Sequence, residues 1–194
     1  MTEKRLNKIK KVVKQRQKYL TIVLENIHDP HNVSAILRTS EAVGIDKVYL
    51  VYYIEPFPKI SVVSSGSAKK WVELAKFNSI QECYEELRKH KFKIYSSFIS
   101  DIKDNSSLYE LDLTKRVALV FGNEHRGLSE EAVKLADKSF YIPMKGLIQS
   151  LNVSVSVAVC LYEALRQREL KGMYNKLQFT KAEFQEKLKK YLEK

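Results

Sequence analysis

The stretch Val117–Ala136, VALVFGNEHRGLSEEAVKLA, holds the fold in miniature. Its first five residues form an unbroken apolar run rich in Val, the pattern of a strand buried on both faces. Gly122-Asn123-Glu124 ends the run. Ser129 then reads as an N-cap, with Glu130 and Glu131 in a first helical turn, where the helix dipole favours acids. A strand that ends in polar residues and leads to a helix is the repeating unit of a parallel sheet. Such sheets bind ligands in the crevice at the carboxyl ends of their strands. The same turn would also serve as a plain strand-to-helix connection.

Outward from this segment the unit recurs. Tyr19–Leu24, Lys47–Tyr53, Trp71–Phe77, Phe92–Phe98 and Phe140–Ile142 read as strands. Asn32 is placed as the N-cap of a helix running to Val43, and Ser79-Ile80-Gln81-Glu82 is a capping box for a helix to about Lys89. The ends of the chain are helical. Leu6, Ile9 and Val13 stripe residues 4–17, and Thr180-Lys181-Ala182-Glu183 caps a last helix striped by Phe184, Leu188, Tyr191 and Leu192. The expected architecture is α/β, a mostly parallel sheet covered by helices on both faces, with helical extensions. One segment resists the patterns: Asn152–Cys160, NVSVSVAVC, alternates like a strand yet also fits the helical stripe Leu151, Val155, Ala158, Tyr162, Leu165.

At 194 residues one compact domain is expected, and 44% hydrophobic residues exclude a wholly disordered chain. Apolar runs stay far below the roughly 18–20 residues that span a bilayer, and the charged beginning shows no signal-peptide region. Cys83 and Cys160 are too few for a disulfide scaffold or a cysteine zinc site. These features read as a soluble cytoplasmic protein. The net charge of +11 is segregated. Residues 1–18 carry eight Lys/Arg and one acid, residues 166–194 nine and four, and the stretch between 17 and 18. Basic ends around a neutral middle point to a polyanion gripped by the ends, with nucleic acid ahead of membrane because neither end shows a bulky aromatic face.

No two of the six glycines are separated by a single residue, as a dinucleotide loop needs, and none precedes the Lys-Ser/Thr of a phosphate loop, which disfavours NAD-type enzymes, NTPases and open-sheet methyltransferases. His28 and His31 flank a proline without a third ligand, so no metal is assigned. Ser64-Ser65-Gly66-Ser67 lacks a nucleophile elbow and is read as a flexible substrate loop.

Three segments exceed what packing requires: Asn32 to Arg38 (N-x-x-A-x-x-R), Gly122 to Ser129 (G-N-E-x-x-G-L-S), and Ile142 to Ser154 (I-P-M-x-G-x-x-x-S-L-N-V-S). In this order they resemble the SpoU branch of the SPOUT RNA methyltransferases. Arg16–Thr21, Arg166-Gln167-Arg168 and Gly172-Met173-Tyr174 extend the likeness to the TrmH type, which methylates the ribose 2′-hydroxyl of a tRNA D-loop guanosine at conventional position 18. The resemblance implies a C-terminal trefoil knot, a homodimer and bent S-adenosylmethionine held by Ser97, Gly122, Ile142 and Leu151. It also makes Asn152–Cys160 the start of a helix. Residues 1–18 become a basic RNA-binding extension, 19–168 the methyltransferase domain and 169–194 a second basic extension.

The implied catalytic set is Arg38, Asn32, Glu124, Ser150 and Asn152. The implied reaction is attack of a ribose 2′-oxygen on the sulfonium methyl. The resemblance assigns the proton of the 2′-hydroxyl to Arg38. Because a guanidinium stays charged, with pKa above about 12, Arg38 is expected to anchor a phosphate and stabilise the developing alkoxide, and whether it also takes the proton is left open. Arg5, Lys8, Lys11, Arg16, Arg166 and Arg168 are expected to hold RNA, and deletion of residues 1–17 to cost RNA affinity more than stability. Ribosomal RNA is the alternative substrate and a non-catalytic RNA-binding protein on the same core the alternative class. The wobble ribose is the province of shorter relatives.

Overall fold

A computed structural model describes residues 2–58, 68–98 and 105–194; the Ser64–Ser67 loop lies outside them. The strands are β1 (Leu20–Glu25), β2 (Lys47–Val51), β3 (Glu73–Phe77), β4 (Lys93–Ser97), β5 (Asn105–Ser107), β6 (Val117–Phe121) and β7 (Lys138–Tyr141). The helices are α1 (Glu3–Gln15), α2 (Pro30–Ala42), α3 (Ile80–Lys89), α4 (Glu130–Leu135), α5 (Val153–Leu170) and α6 (Lys181–Leu192). All seven strands are parallel, in the order β3-β2-β1-β6-β4-β7-β5.

The fully buried strands β1 and β6 pair at the centre, which is why both read as continuous apolar runs. Two cores flank the sheet. One gathers Ile22, Leu24, Ile36, Leu37, Leu119 and Leu161 under α2 and α5; the other gathers Val23, Tyr84, Leu87, Ala118 and Val120 under α3 and α4. Because every strand runs the same way, the carboxyl ends of β1, β6, β4 and β7 all open on one edge.

Three features depart from the sequence reading. Helix α2 is capped by Asp29, whose carboxylate accepts from the His31 N–H at 2.8 Å; Pro30 sits in the first turn, where its missing N–H is harmless. Asn32 is therefore inside the helix, its side chain freed for other use. Strand β5 is three polar residues at the sheet edge, without the apolar alternation that would announce it. Asn152–Cys160 is helical, with Asn152 the N-cap of α5, whose Oδ1 accepts from the Ser154 N–H at 2.8 Å. That helix is apolar on more than one face: Val157, Cys160, Leu161 and Ala164 are buried, while Val155 and Tyr162 are exposed. A helix without a single apolar stripe defeats periodicity.

The two ends of the chain converge. Helices α1 and α6 pack together through Ile9, Val13, Leu188 and Tyr191, with Trp71, just before β3, against the Tyr191 ring at 5.1 Å. Lys18–Glu183 and Lys187–Asp46 ion pairs, both 2.6 Å, tie this pair to the sheet.

Candidate functional site

The loop after β6 is built around two glycines. A Cβ on Gly122 would stand 2.3 Å from the Gly127 carbonyl and 2.4 Å from the Leu128 nitrogen, so only glycine lets the chain fold back on itself here. Asn123 and Gly127 exchange backbone hydrogen bonds of 2.9 Å each way. Gly127 takes φ +70°, and Asn123 Oδ1 accepts from the N–H groups of His125 and Arg126. The turn is thereby closed, and Glu124 projects from it.

The Glu124 carboxylate gathers the start of α2. It accepts from the backbone N–H of His28 at 2.8 Å and of Asp29 at 3.3 Å, and from Asn32 Nδ2 at 2.8 Å. Asn32 Oδ1 in turn accepts from Asn152 Nδ2 at 3.2 Å. One residue from each of the three motif segments thus joins a single hydrogen-bonded chain, and the first turn of α2 meets the N-cap of α5. Desolvation opposes ionisation of Glu124, but the donors from Asn32 and from the backbone outweigh it and hold the carboxyl below its ordinary range.

Beside this chain lies a cleft of about 450 Å³. Ser97, Gly122, Ile142 and Leu151, the four residues expected to hold a cofactor, all line it, and so does Ser150. Phe121 and Phe140, edge to face with ring centroids 6.3 Å apart, add apolar wall. An apolar hollow with a few convergent polar groups at the carboxyl edge has the character of a small-molecule site. Arg38 is not drawn into the hydrogen-bonded chain. It lies roughly 9 Å further along α2 than Asn32, exposed, its side chain making no hydrogen bond or ion pair among the described residues.

The model of the SpoU rRNA Methylase family matches residues 19–162, which span the sheet and the whole of this site. The chain belongs to that family.

Among SpoU relatives, the tRNA (guanosine(18)-2′-O)-methyltransferase of Thermus thermophilus is 42% identical over 193 residues, 100% of this chain and 98% of that one. The crystal structure of the Aquifex aeolicus TrmH/SpoU tRNA modifying enzyme superposes with a TM-score of 0.89 at 40% identity, covering 97% of this chain and 95% of that one. The SpoU methyltransferase AviRb from Streptomyces viridochromogenes, solved in complex with the cofactor AdoMet, gives 0.72 at 25% identity over 80% of this chain and 62% of its own.

Outside the SpoU match the expected RNA-binding cations divide. Arg5, Lys8 and Lys11 are exposed on α1. Arg166 is exposed on α5 and pairs with Glu163 through two hydrogen bonds of 2.8 Å. Arg16 and Arg168 correct the expectation, for both are fully buried. Arg16 donates to the carbonyls of Ile45 at 3.0 Å and Glu41 at 3.3 Å, and to the Glu41 carboxylate at 3.1 Å. Arg168 donates to Leu113 O, Tyr19 O, Lys115 O and Gln17 Oε1 at 2.6–3.1 Å, and burial pulls its pKa down to about 10. All three nitrogens of the Arg168 guanidinium are spent on the interior, and Arg16, whose Nη atoms are bonded while its buried Nε has no partner among the described residues, is closed off from phosphate by its burial. Removing residues 1–17 would strip Val13, Arg16 and Gln17 from the interior, so that deletion cannot separate RNA affinity from stability.

Sequence reasoning missed two asparagines. Asn26, buried at φ +48°, accepts from the N–H groups of Tyr53, Ile54 and Glu55 at 3.0–3.3 Å, and its carbonyl accepts from Asn123 Nδ2 at 2.7 Å. Together they clip the loops after β1, β2 and β6 into one rim. An Asn directly after a buried strand, tolerant of left-handed φ, was the available signal.

Proposed function

We propose that the chain transfers a methyl group from S-adenosylmethionine to the ribose 2′-hydroxyl of a tRNA D-loop guanosine, position 18. The observation that carries this reading is the Glu124–Asn32–Asn152 chain joining the three motif segments beside the 450 Å³ cleft. The names of relatives that match the full length, basic ends included, favour tRNA over ribosomal RNA.

The residues present suit the donor. Phe121, Phe140, Ile142 and Leu151 offer apolar wall to an adenosyl group, Ser97 and Ser150 offer hydrogen bonds, and the ionised Glu124 supplies negative charge at the cleft. Ser97, Gly122, Ile142 and Leu151 would hold it. When bound, S-adenosylmethionine supplies an electrophilic methyl on a sulfonium whose departure leaves a neutral thioether.

What remains for the chain is to deliver a ribose oxygen and lower its charge cost. Arg38, charged and unpaired among the described residues, grips the phosphate of the target nucleotide and stabilises the oxygen as its proton passes to solvent water. Asn32 and Asn152 fix the relation of α2 to the loop before α5, so that Arg38 and Ser150 keep their places. Arg5, Lys8 and Lys11 hold RNA phosphates at a distance from the chemistry.

The homodimer belongs to the same reading. Val155 and Tyr162 on α5 are 47% and 55% exposed, and Leu147 and Ile148 stand clear just before it, an apolar surface that a second copy would cover. So do the trefoil knot and a cytoplasmic location; among the described residues no helix is long and apolar enough to cross a membrane.

The test is incubation of the protein with methyl-labelled donor and unmodified tRNA or ribosomal RNA, followed by mapping of 2′-O-methyl positions. One labelled D-loop guanosine is the expected result. Label on ribosomal RNA alone, on a base, or on no RNA would overturn the proposal.

A further inference from the structure

The rim clipped by Asn26 presents a second surface beside the cleft that the transfer described above does not use. On its outer side the rings of His28 and His125 meet edge to face, with centroids 6.0 Å apart at 64°. Glu55 lies between two partners, 3.3 Å from His28 Nδ1 and 2.7 Å from Arg126 Nη2. Tyr53 stands on the same rim, 44% exposed, its hydroxyl donating to Glu25 at 2.6 Å. The side chains of His28 and Arg126 are 59% and 50% exposed. Four planar side chains therefore stand open to solvent on a base held by buried hydrogen bonds.

This surface joins the site directly. The His28 N–H is a donor to Glu124, and Arg126 and Tyr53 border a small notch that shares Asn123, Gly127 and Leu128 with the main cleft. Its charge is nearly cancelled, because the Arg126 guanidinium lies against the Glu55 carboxylate. The hydrogen bonds from Arg126 and then His28 hold that carboxyl below its ordinary range, so the pair stays ionised. A neutral patch of exposed planar groups is a poor phosphate clamp and a good stacking platform. Unpaired RNA bases stack on aromatic rings and on guanidinium planes, whereas phosphates are held by uncompensated cations.

We infer that Tyr53, His28, His125 and Arg126 form a platform for an unpaired base of a single-stranded RNA loop, next to the ribose being methylated, and that this stacking selects which nucleotide enters. The inference rests on the 2′-O-methyltransfer reading above and adds a division of labour to it. The exposed lysines and arginines of α1 supply affinity, and the rim supplies the register.

The test uses steady-state kinetics of the full chain on tRNA with His125→Ala, Tyr53→Ala and Arg126→Ala, each checked for unchanged Tm and donor affinity. Each lowers kcat/KM roughly 5- to 100-fold, the range for loss of one base–aromatic stack, without changing the slope of log KM against log salt. His125→Trp, which returns a ring, recovers most of the loss. On tRNA made abasic one nucleotide from the target, wild type loses the same factor and His125→Ala loses no more. Wild-type kcat/KM in the alanine variants, an equal further loss on abasic RNA, or a flattened salt slope would overturn the platform. If the wild-type protein methylates no RNA, the failure lies in the reading beneath it and is seen before any variant is made.

Discussion

The cleft at the carboxyl edge and the helical pair α1/α6 use polar side chains in opposite ways. At the cleft, uncharged asparagines and one carboxylate bond to each other and to backbone N–H groups, and almost nothing is left over. On the helical pair the cations outnumber the acids and point mostly to solvent, while Arg16, the C-cap of α1, is buried against Ile45 and Glu41. The first region is built for geometry and the second for field. The contrast teaches that a run of basic residues marks a region and not a role. Arg5 and Arg16 lie in one helical segment, yet one is exposed and the other is structural.

The strongest attempt to break this contrast is Arg38→Ala. It should reduce kcat by about 1,000-fold or more, in keeping with loss of a charge-stabilising donor, while calorimetry shows donor affinity unchanged. Arg168→Ala tests the structural side of the basic ends. Three carbonyls and Gln17 lose their donor, and stability should fall by about 3 kcal/mol or more. That corresponds to a Tm roughly 6–12 °C lower in a chain of this size.

Gly122→Ala forces a methyl group into the Gly127 backbone and should weaken donor binding by about 10- to 100-fold, with RNA affinity held. Replacing Lys4, Arg5, Lys8 and Lys11 by Gln gives the reverse pattern. RNA affinity drops about tenfold at moderate salt, the salt slope falls by about one for each phosphate no longer neutralised, and donor affinity and Tm stay as they were.

The smallest effect is in pH. Because the Glu124 carboxyl is held below its ordinary value, its contribution to site order is complete above that value and disappears only as pH falls through the lowered one. Donor binding followed downward in pH should therefore persist through the usual carboxylate range, and Glu124→Gln should remove that acid limb.

What could be read from the sequence follows the reach of the interactions. Ser79 and Thr180 were legible because a cap and its partner lie three residues apart, and both accept from the N–H groups of Glu82 and Glu183. The Gly122-Asn123-Glu124 turn was legible because a strand ending in polar or glycine residues marks the ligand edge of a parallel sheet, whereas Ile142 and Leu151 follow only from the likeness of their segment to the SpoU family. The bonds between Gln17 and Arg168, and between Asn32 and Asn152, join residues far apart in the chain and leave no period to find. Arg16 and Arg168 therefore looked like the other cations around them. Strand β5 went unread because its three polar residues are held by a neighbouring edge and not by burial.

The most direct test of the division between geometry and field is the dissociation constant of S-adenosylmethionine, measured by calorimetry without RNA, for wild type, Gly122→Ala and the four-cation variant. The account predicts binding by wild type, a weakening of about tenfold or more in Gly122→Ala, and no change when the four cations are gone. No binding by the wild-type chain, or a loss that follows the cations and spares Gly122→Ala, would contradict it.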